Sequence, residues 1–280
     1  MKYGWQGNPE SFMRALTHTV QCGLTLLCLI TLMGCESASD PSGTLQVNGY
    51  TFDFTGERVT RNEEGKIAPD VKTIVVENRF GAVAIATGAE EPRWEWEISC
   101  WADTAVVAKQ YTSRVTCEVD SHNGRHSWKL VIPEPPVDDL RGVISNVALL
   151  VPPGVHVELS NSHGDNKIHG VTGGTKARCQ FGNLGLFNLG GHVDATLAHG
   201  DLTGNDLPGC VFTNRHGDLN VTGVDGELKI TSSHGDVTLD DVKLDVEVKN
   251  SFGGVNALDV AQNLRVRNDH GAVHVERVAG

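Results

Sequence analysis

Residues 228–239 read LKITSSHGDVTL, and this pattern decides the fold because it returns with small changes through the second half of the chain. Its marker is Gly235, which follows the ring of His234 and precedes the carboxylate of Asp236. Seven marker glycines occur, separated by 18, 18, 17, 18, 18 and 18 residues: Gly164, Gly182, Gly200, Gly217, Gly235, Gly253 and Gly271. A constant period near 20 residues predicts a stacked repeat architecture.

The residues before each marker glycine alternate as in a half-buried β-strand. The positions seven and five residues before the glycine are predicted to face inward: Val157, Thr175, Val193, Cys210, Leu228, Val246 and Leu264, then Leu159, Ala177, Ala195, Phe212, Ile230, Val248 and Val266. The position between them is mostly charged and is predicted to face water. After the glycine the apolar alternation restarts, as at Val237 and Leu239.

Each repeat is therefore interpreted as one coil of two strands joined by a tight arch. The sequence predicts an all-β parallel solenoid of about seven 18-residue coils at 157–280, stabilised by stacking between neighbours. Residues 45–156 show strand-like alternation without a period and are predicted to cap the first coil, since solenoids need protected ends. Within them, residues 74–85 repeat the coil pattern as an early, isolated coil, and residues 105–111 fit either a short helix or another strand.

The N-terminal segment carries the most specific motif of the chain. Arg14 precedes a mainly apolar run that ends in Leu32-Met33-Gly34-Cys35, with the length and flanks of a secretory signal. This ending resembles the lipobox of bacterial lipoproteins, which implies that residues 1–35 are a signal peptide and that acylated Cys35 begins the mature protein. Residues 36–44 are predicted to form a polar tether. Met13 is an alternative start, and an ordinary cleaved signal with an accidental cysteine is the alternative interpretation.

The lipobox has consequences for location. A lipid anchor on Cys35 implies a membrane partner and a place in the cell envelope. By the same resemblance, Glu36 in place of aspartate argues against retention at an inner membrane. In an organism with two membranes, the expected location is the outer membrane, on its periplasmic face or at the cell surface.

Leu149 to Val155, read as LLVPPGV, leads from the irregular region into the repeats. With its Val-Pro-x-Gly-Val entry and Ser/Asn-x-x-Gly-Asp-Val/Leu coils, the chain resembles the family of bacterial "putative adhesins", a domain of unknown function, over residues 50–278. The resemblance implies a β-solenoid and an exported, often lipid-anchored protein. It implies no demonstrated activity, because fold transfers better than function.

The net charge excludes one class of binding partner, and the cysteine positions limit which disulfides can form. A net charge of −12 over 280 residues makes nucleic acid an unsuitable partner, since phosphate binding needs clustered Lys and Arg. Cys100 and Cys117 lie in consecutive strand-like segments and are a candidate disulfide, although connectivity cannot be derived from sequence. Cys179 and Cys210 lie two coils apart, about 10 Å, which is beyond disulfide reach and predicts buried thiols.

The histidines before the marker glycines form a candidate metal site. His199, His216 and His234 occupy one column in successive coils, with Asp201, Asp218 and Asp236 beside them. Imidazole and carboxylate are ligands for transition metals. Phe181 and Phe252 fill the same position, however, which favours a structural stack of flat rings. The sequence therefore predicts no metal and no cofactor, and these six residues remain the alternative.

Two features of the sequence suggest an enzyme as the alternative to a binding module. Ser-His-Gly-Asp recurs at 162–165 and 233–236, but neighbours in sequence rarely form a catalytic triad. A carbohydrate-active solenoid would use an outer face, for which Asp194, Lys176 and Lys229 are the candidates. No catalytic residue is predicted, and a carbohydrate-active or metal-dependent envelope enzyme remains the alternative function.

The predicted function is non-enzymatic: an exported lipoprotein that presents a rigid surface, as an adhesin or an envelope scaffold, to a glycan or another envelope protein. One candidate surface is an asparagine column at Asn78, Asn161, Asn214, Asn250 and Asn268, interpreted as an outer ladder that either bonds along the stack or binds glycans. End-to-end assembly through the last coil is a third possibility, disfavoured by the charges of Arg265, Arg267, Glu276 and Arg277.

Overall fold

The computed structural model of the chain describes residues 45–47, 50–132 and 139–279, with side chains from residue 53 onward. The predicted signal peptide, the lipobox cysteine Cys35 and the tether at 36–44 lie outside these residues. In the part that is described, no helix has the length and apolar character needed to cross a membrane.

The described residues form 23 strands and one helix. The irregular region contains β1 (Leu45–Val47), β2 (Tyr50–Phe52), β3 (Glu57–Lys66), β4 (Thr73–Phe80), β5 (Val83–Thr87), β6 (Arg93–Ala102), α1 (Ala105–Arg114), β7 (Thr116–His122), β8 (Arg125–Val131) and β9 (Leu140–Val151). The repeats contain β10 (His156–His163), β11 (Asn166–His169), β12 (Thr175–Phe181), β13 (Leu184–Phe187), β14 (Val193–His199), β15 (Leu202–Leu207), β16 (Cys210–His216), β17 (Leu219–Val224), β18 (Leu228–His234), β19 (Val237–Val242), β20 (Val246–Phe252), β21 (Val255–Val260), β22 (Leu264–His270) and β23 (Val273–Val278).

Each repeat contributes one strand to each of two facing sheets. The first sheet runs β22-β20-β18-β16-β14-β12-β10-β4-β8-β7, and the second runs β23-β21-β19-β17-β15-β13-β11-β5-β9-β6-β3. Every pairing between successive coils is parallel, and marker positions pair with marker positions, as His199 does with His216. This arrangement confirms the predicted parallel solenoid of about seven coils preceded by an irregular β region.

The core lies between the two sheets and follows the predicted inward columns. The residues seven and five positions before each marker glycine are buried from Val157 to Val248. After the glycine, Leu202, Leu219 and Val237 are buried from the second sheet. Since one coil cannot bury its inward apolar side chains alone, the core exists only because neighbouring coils stack.

The early coil is continuous with the stack. β4 pairs in parallel with β10, and β5 pairs in parallel with β11, so Phe80 stands beneath His163. The coil is isolated only along the sequence, because β6, α1 and β7 to β9 are inserted between it and the first repeat.

The inserted elements extend both sheets beyond the early coil. β8 continues the first sheet and pairs with β7 in an antiparallel hairpin, while β9, β6 and β3 continue the second. Residues 105–111, which fit either a helix or a strand in the sequence, lie in helix α1. The helix begins after Thr104, and the side chain of this N-cap residue accepts a hydrogen bond from the Val107 N–H. α1 connects β6 in the second sheet to β7 in the first, packs against β3 and β6, and buries Ala108 and Tyr111.

The opposite end of the stack is more open. In the last coil the inward side chains Val273 and Val275 are 47% and 43% exposed, whereas Val255 and Ala257 one coil earlier are buried. Leu264 and Val266 are half-buried. The described residues supply no strand beyond β22 and β23, so the outer edges of both strands are unpaired within that part of the chain.

Candidate functional surfaces

The arch at each marker glycine is the tightest point of the coil. The seven marker glycines have φ between +112° and +133°, a region that L side chains rarely adopt. A Cβ on Gly217 would also lie 2.1 Å from the carbonyl oxygen of Gly200 in the preceding coil. The marker is therefore glycine both for its backbone conformation and for its close contact with the neighbouring arch.

The asparagine column lies inside the arch, which corrects the sequence interpretation of an outer ladder. Asn161, Asn214 and Asn250 are buried, because the position three residues before the glycine points to the same side as the apolar positions five and seven before it. Asn214 Nδ2 donates to the carbonyl oxygens of Gly217 at 2.9 Å and Gly200 at 3.3 Å. The column therefore satisfies arch carbonyls and is not available to a glycan.

Eight rings stack along the outside of the arches, and we call them the ring column: Phe80, His163, Phe181, His199, His216, His234, Phe252 and His270. Successive ring centroids lie 4.7 to 5.5 Å apart, with interplanar angles of 3° to 27°. Phe181 and Phe252 remain 44% and 46% exposed. Since each ring face is covered by its neighbours, the column presents ring edges to solvent.

The stacked geometry keeps the histidine nitrogens of successive coils apart. His199 and His216 are nearly parallel, at 5°, with centroids 4.7 Å apart, and His216 and His234 are also 4.7 Å apart. Two metal–nitrogen bonds of about 2.1 Å span at most about 4.2 Å, and imidazole lone pairs lie in the ring plane. Within the described residues, no group of three or more His, Cys, Asp or Glu side chains is arranged to hold a metal ion.

The acidic residues after the marker glycines are hydrogen-bonded to the next coil. Oδ1 of Asp201 accepts the Asp218 N–H at 2.9 Å, and Oδ1 of Asp218 accepts the Asp236 N–H at 2.9 Å. Oδ1 of Asp236 accepts the Gly254 N–H at 2.7 Å, and Asn183 does the same for Asp201 at 2.9 Å. These side chains therefore join coil to coil.

The outer side of the first sheet carries the charged column predicted from sequence, and we call it the charged face. Lys229 and Lys249 both contact Glu247, at 3.8 and 2.8 Å. Lys176 is the register partner of Asp194, whereas Val211 separates Asp194 from Lys229. The structure therefore does not bring together the three residues considered for a carbohydrate-active site.

The outer side of the second sheet carries mostly uncharged polar side chains, unlike the charged face. Two columns of these residues run along β15 to β21, and we call them the polar face: Thr203, Asn220, Thr238 and Asn256, then Asn205, Thr222 and Asp240. Within the described part of the chain, the side chains of Thr203, Asn220, Thr222 and Thr238 have no hydrogen-bond partner in the protein. The sequence analysis missed this face. The sequence feature that predicts this face is the recurrence of Thr, Asn and Asp at the third and fifth positions after the marker glycine.

The four cysteines of the described residues are free thiols. Burial raises the pKa of Cys100 to about 11 and those of Cys117, Cys179 and Cys210 to about 12, so these thiols are protonated and poorly nucleophilic. The pairing of Cys100 with Cys117 is not formed in this structure and stays a prediction. Cys179 and Cys210 are buried.

No family model matches the chain, and no curated protein matches it. Among solved structures it is similar to a "putative adhesin" from Bacteroides fragilis NCTC 9343, with 10% identity, a TM-score of 0.49 and coverage of 79% of this chain and 98% of that one. A "putative adhesin" from Parabacteroides merdae ATCC 43184 shows 11% identity, a TM-score of 0.35 and coverage of 78% and 96%. A "putative lipid binding protein" from Parabacteroides distasonis ATCC 8503 shows 10% identity, a TM-score of 0.30 and coverage of 79% and 98%. Likenesses this distant carry no argument about function.

Proposed function

We propose that the chain is an exported lipoprotein that presents a rigid solenoid surface for adhesion or for scaffolding of the cell envelope, without catalysis. Its anchor is the acylated Cys35, in the outer membrane of an organism with two membranes. In this proposal the tether at 36–44 leads from Cys35 to the irregular region at the start of the solenoid.

The observation that carries this proposal is the unpaired polar face. Thr203, Asn220, Thr222 and Thr238 hold hydroxyl and amide groups at fixed positions, and none of them is bonded within the described residues. Coils stacked in register hold such groups about 4.8 Å apart along each column. Polar groups that are already ordered lose little entropy on binding, which favours a ligand with many hydroxyls.

The chemistry of the polar face selects the ligand class. Thr and Asn supply neutral donors and acceptors, Asp240 adds a carboxylate, and the chain as a whole has a net charge of −12. This combination favours neutral glycans over acidic ones, because acidic sugars would meet like charge. The charged face is a weaker candidate, since Lys229 and Lys249 are already engaged with Glu247.

The test is binding of the full chain, kept in mild detergent, to an array of neutral and acidic glycans. We expect binding to neutral glycans that Thr222→Ala with Thr238→Ala weakens by about tenfold, the loss of two hydrogen bonds. Thr213→Ala with Thr231→Ala is the matched control, because these threonines lie in the same two coils on the charged face. Equal loss in both pairs, or no binding to any neutral glycan, would refute a role for the polar face.

A further inference from the structure

His126 is a buried histidine of the irregular region and is not part of the ring column. It lies on β8, where the inward side chains of His126, Trp128 and Leu130 are 1%, 0% and 4% exposed. Within the first sheet it stands between Ile74 of β4 and Ser121 of β7. A histidine is rarely this buried without a structural or functional reason, because its ring titrates close to neutral pH.

One nitrogen of the His126 ring is hydrogen-bonded and the other is not. Nδ1 lies 2.6 Å from Oγ of Ser121. Nε2 is buried and has no hydrogen-bond partner in the part of the chain that the structure describes. In either neutral tautomer the ring and the hydroxyl can share one hydrogen bond, but a protonated ring carries a charged N–H at Nε2 that has no acceptor. The closed site therefore disfavours the protonated form.

The surroundings compensate little for a positive charge on His126. Burial lowers the pKa of His126 below its ordinary 6.5, and the carboxylate of Asp120 on β7 offsets only part of this effect. The other charged or titratable side chains on the described elements around it do not shift this pKa: Asp70 and Lys72 before β4, His122 on β7, Arg125 on β8, and Arg61 and Glu63 on β3 of the facing sheet. Because the closed state holds the lower pKa, proton uptake favours a state in which His126 reaches water.

Strand β7 is the element whose separation would expose His126 with the smallest loss of burial. In the described residues it is the last strand of the first sheet and pairs only with β8. Its side chains are exposed apart from Cys117, which is half-buried, and even Val119 is 40% exposed. Strand β8, in contrast, buries Trp128 and Leu130 and pairs with β4. Local opening is therefore expected between β7 and β8 before it reaches the coils.

We propose that protonation of His126 at acidic pH releases β7 from β8 while the stacked coils stay folded. The separation moves Ser121 away from the imidazole and lets water reach Nε2, which supplies the missing acceptor. The edge of β8 that β7 covers is then exposed. The irregular region thus presents one surface at neutral pH and another in acid.

Hydrogen exchange of the full chain in mild detergent, followed by mass spectrometry, tests this release. Exchange is measured at about pH 7.5 and pH 5 and corrected for the intrinsic rate at each pH. We expect the corrected exchange of β7 to rise about fivefold or more in acid, because the open state takes up one proton that the closed state disfavours. Peptides from β9 in the second sheet are the internal reference and are expected to keep their protection.

Two substitutions remove the titration of His126 in different ways. His126→Asn keeps a polar partner for Ser121, and His126→Phe keeps an aromatic ring in the core. We expect the rise of β7 exchange in acid to be absent from both variants. His122→Asn is the matched control, because His122 is an exposed histidine of the same hairpin, and we expect it to keep the full rise. Circular dichroism at each pH checks that every variant is folded.

An equal rise of β7 exchange in the wild type and in a folded His126 variant would overturn the proposal. So would an equal loss of protection in β7 and β9, since that result means unfolding of the whole molecule. If neither His126 variant folds, an NMR titration of the wild-type His126 ring decides the question. Loss of the β7 amide signals in step with protonation of the ring supports the release, and protonation with these signals unchanged contradicts it.

Discussion

Gly217 contacts the arch of the preceding coil so closely that a Cβ placed on it would lie 2.1 Å from the carbonyl oxygen of Gly200. Its φ of +120° adds a second penalty for any other residue. We expect Gly217→Ala to lower the free energy of unfolding by about 2 to 4 kcal/mol, because backbone strain and displacement of the neighbouring coil add together. Chemical denaturation measures this change.

Gly154→Ala is the control for that variant. A Cβ at Gly154 would meet nothing within 4 Å, and its φ is ordinary, so its effect on unfolding should stay within about 0.5 kcal/mol. Similar losses for the two variants would mean that the arch contact does not determine the stability of the stack.

Asp218 joins two coils through one carboxylate oxygen, which accepts the Asp236 N–H at 2.9 Å. We expect Asp218→Ala to cost about 1 kcal/mol of unfolding free energy, the usual net value of one hydrogen bond. Asp218→Asn should cost much less, because Asn183 makes the same bond to Asp201 in the column. If the Asn variant lost as much as the Ala variant, charge and not hydrogen bonding would be the contribution of this column.

We expect His216 to make the free energy of unfolding depend on pH. Partial desolvation within the ring column, then the neighbouring His199 and His234, then Arg215, lower the pKa of His216 below its ordinary 6.5, although the residue is exposed. Because the folded state holds the lower pKa, the unfolded chain binds the proton more readily. The contribution of neutral His216 is therefore complete above pH 6.5 and is lost as the pH falls through the folded pKa.

The variant His216→Phe tests this dependence. Phe181 stacks on His199 with centroids 4.8 Å apart, so a phenyl ring fits the column. We expect the fall in melting temperature between about pH 7.5 and pH 5 to be smaller in the variant than in the wild type. An identical fall in both proteins would exclude His216 as a source of the pH dependence.

The repeat period and the apolar columns made the solenoid predictable from sequence, because each coil repeats the same strand alternation around a glycine. The prediction that the asparagine column lies on the outer surface of the solenoid was wrong, because it assumed that polar side chains are exposed. Asn214 is inward because the buried carbonyls of Gly200 and Gly217 need a donor. Strand parity alone would have predicted this, since Asn214 lies two residues from buried Phe212.

Besides the marker glycines, the repeats contain a second column of residues with positive φ, which the sequence analysis did not predict. The position six residues after the marker glycine adopts φ between +50° and +76° throughout the repeats: Gly170, Asn188, Asp206, Gly223, Asp241, Asp259 and Arg277. Six of the seven are Gly, Asn or Asp, the residues that tolerate this conformation, so the column could be predicted from the sequence despite Arg277. The inserted cap was less predictable, because β6, α1 and β9 have no repeat and their pairing is set by distant contacts.

The positive-φ column six residues after the marker glycines gives a further prediction. We expect Gly223→Asn to change the unfolding free energy by less than about 1 kcal/mol, since Asn188 already adopts φ of +50° in the same column. Gly223→Val should cost about 2 kcal/mol or more, because a β-branched side chain is strained at positive φ. Equal stability of the two variants, measured by thermal melting, would show that this turn does not require its left-handed conformation.

We propose above a lipid-anchored solenoid for adhesion or envelope scaffolding; adhesion requires the solenoid to stand outside the cell, and protease treatment of intact cells tests this most directly. The measurement is loss of the solenoid, with a known periplasmic protein as the control for lysis. The account predicts loss of the solenoid while the periplasmic control remains intact. Full protection of the solenoid in unlysed cells would contradict the adhesin role and would leave a periplasmic scaffold or enzyme.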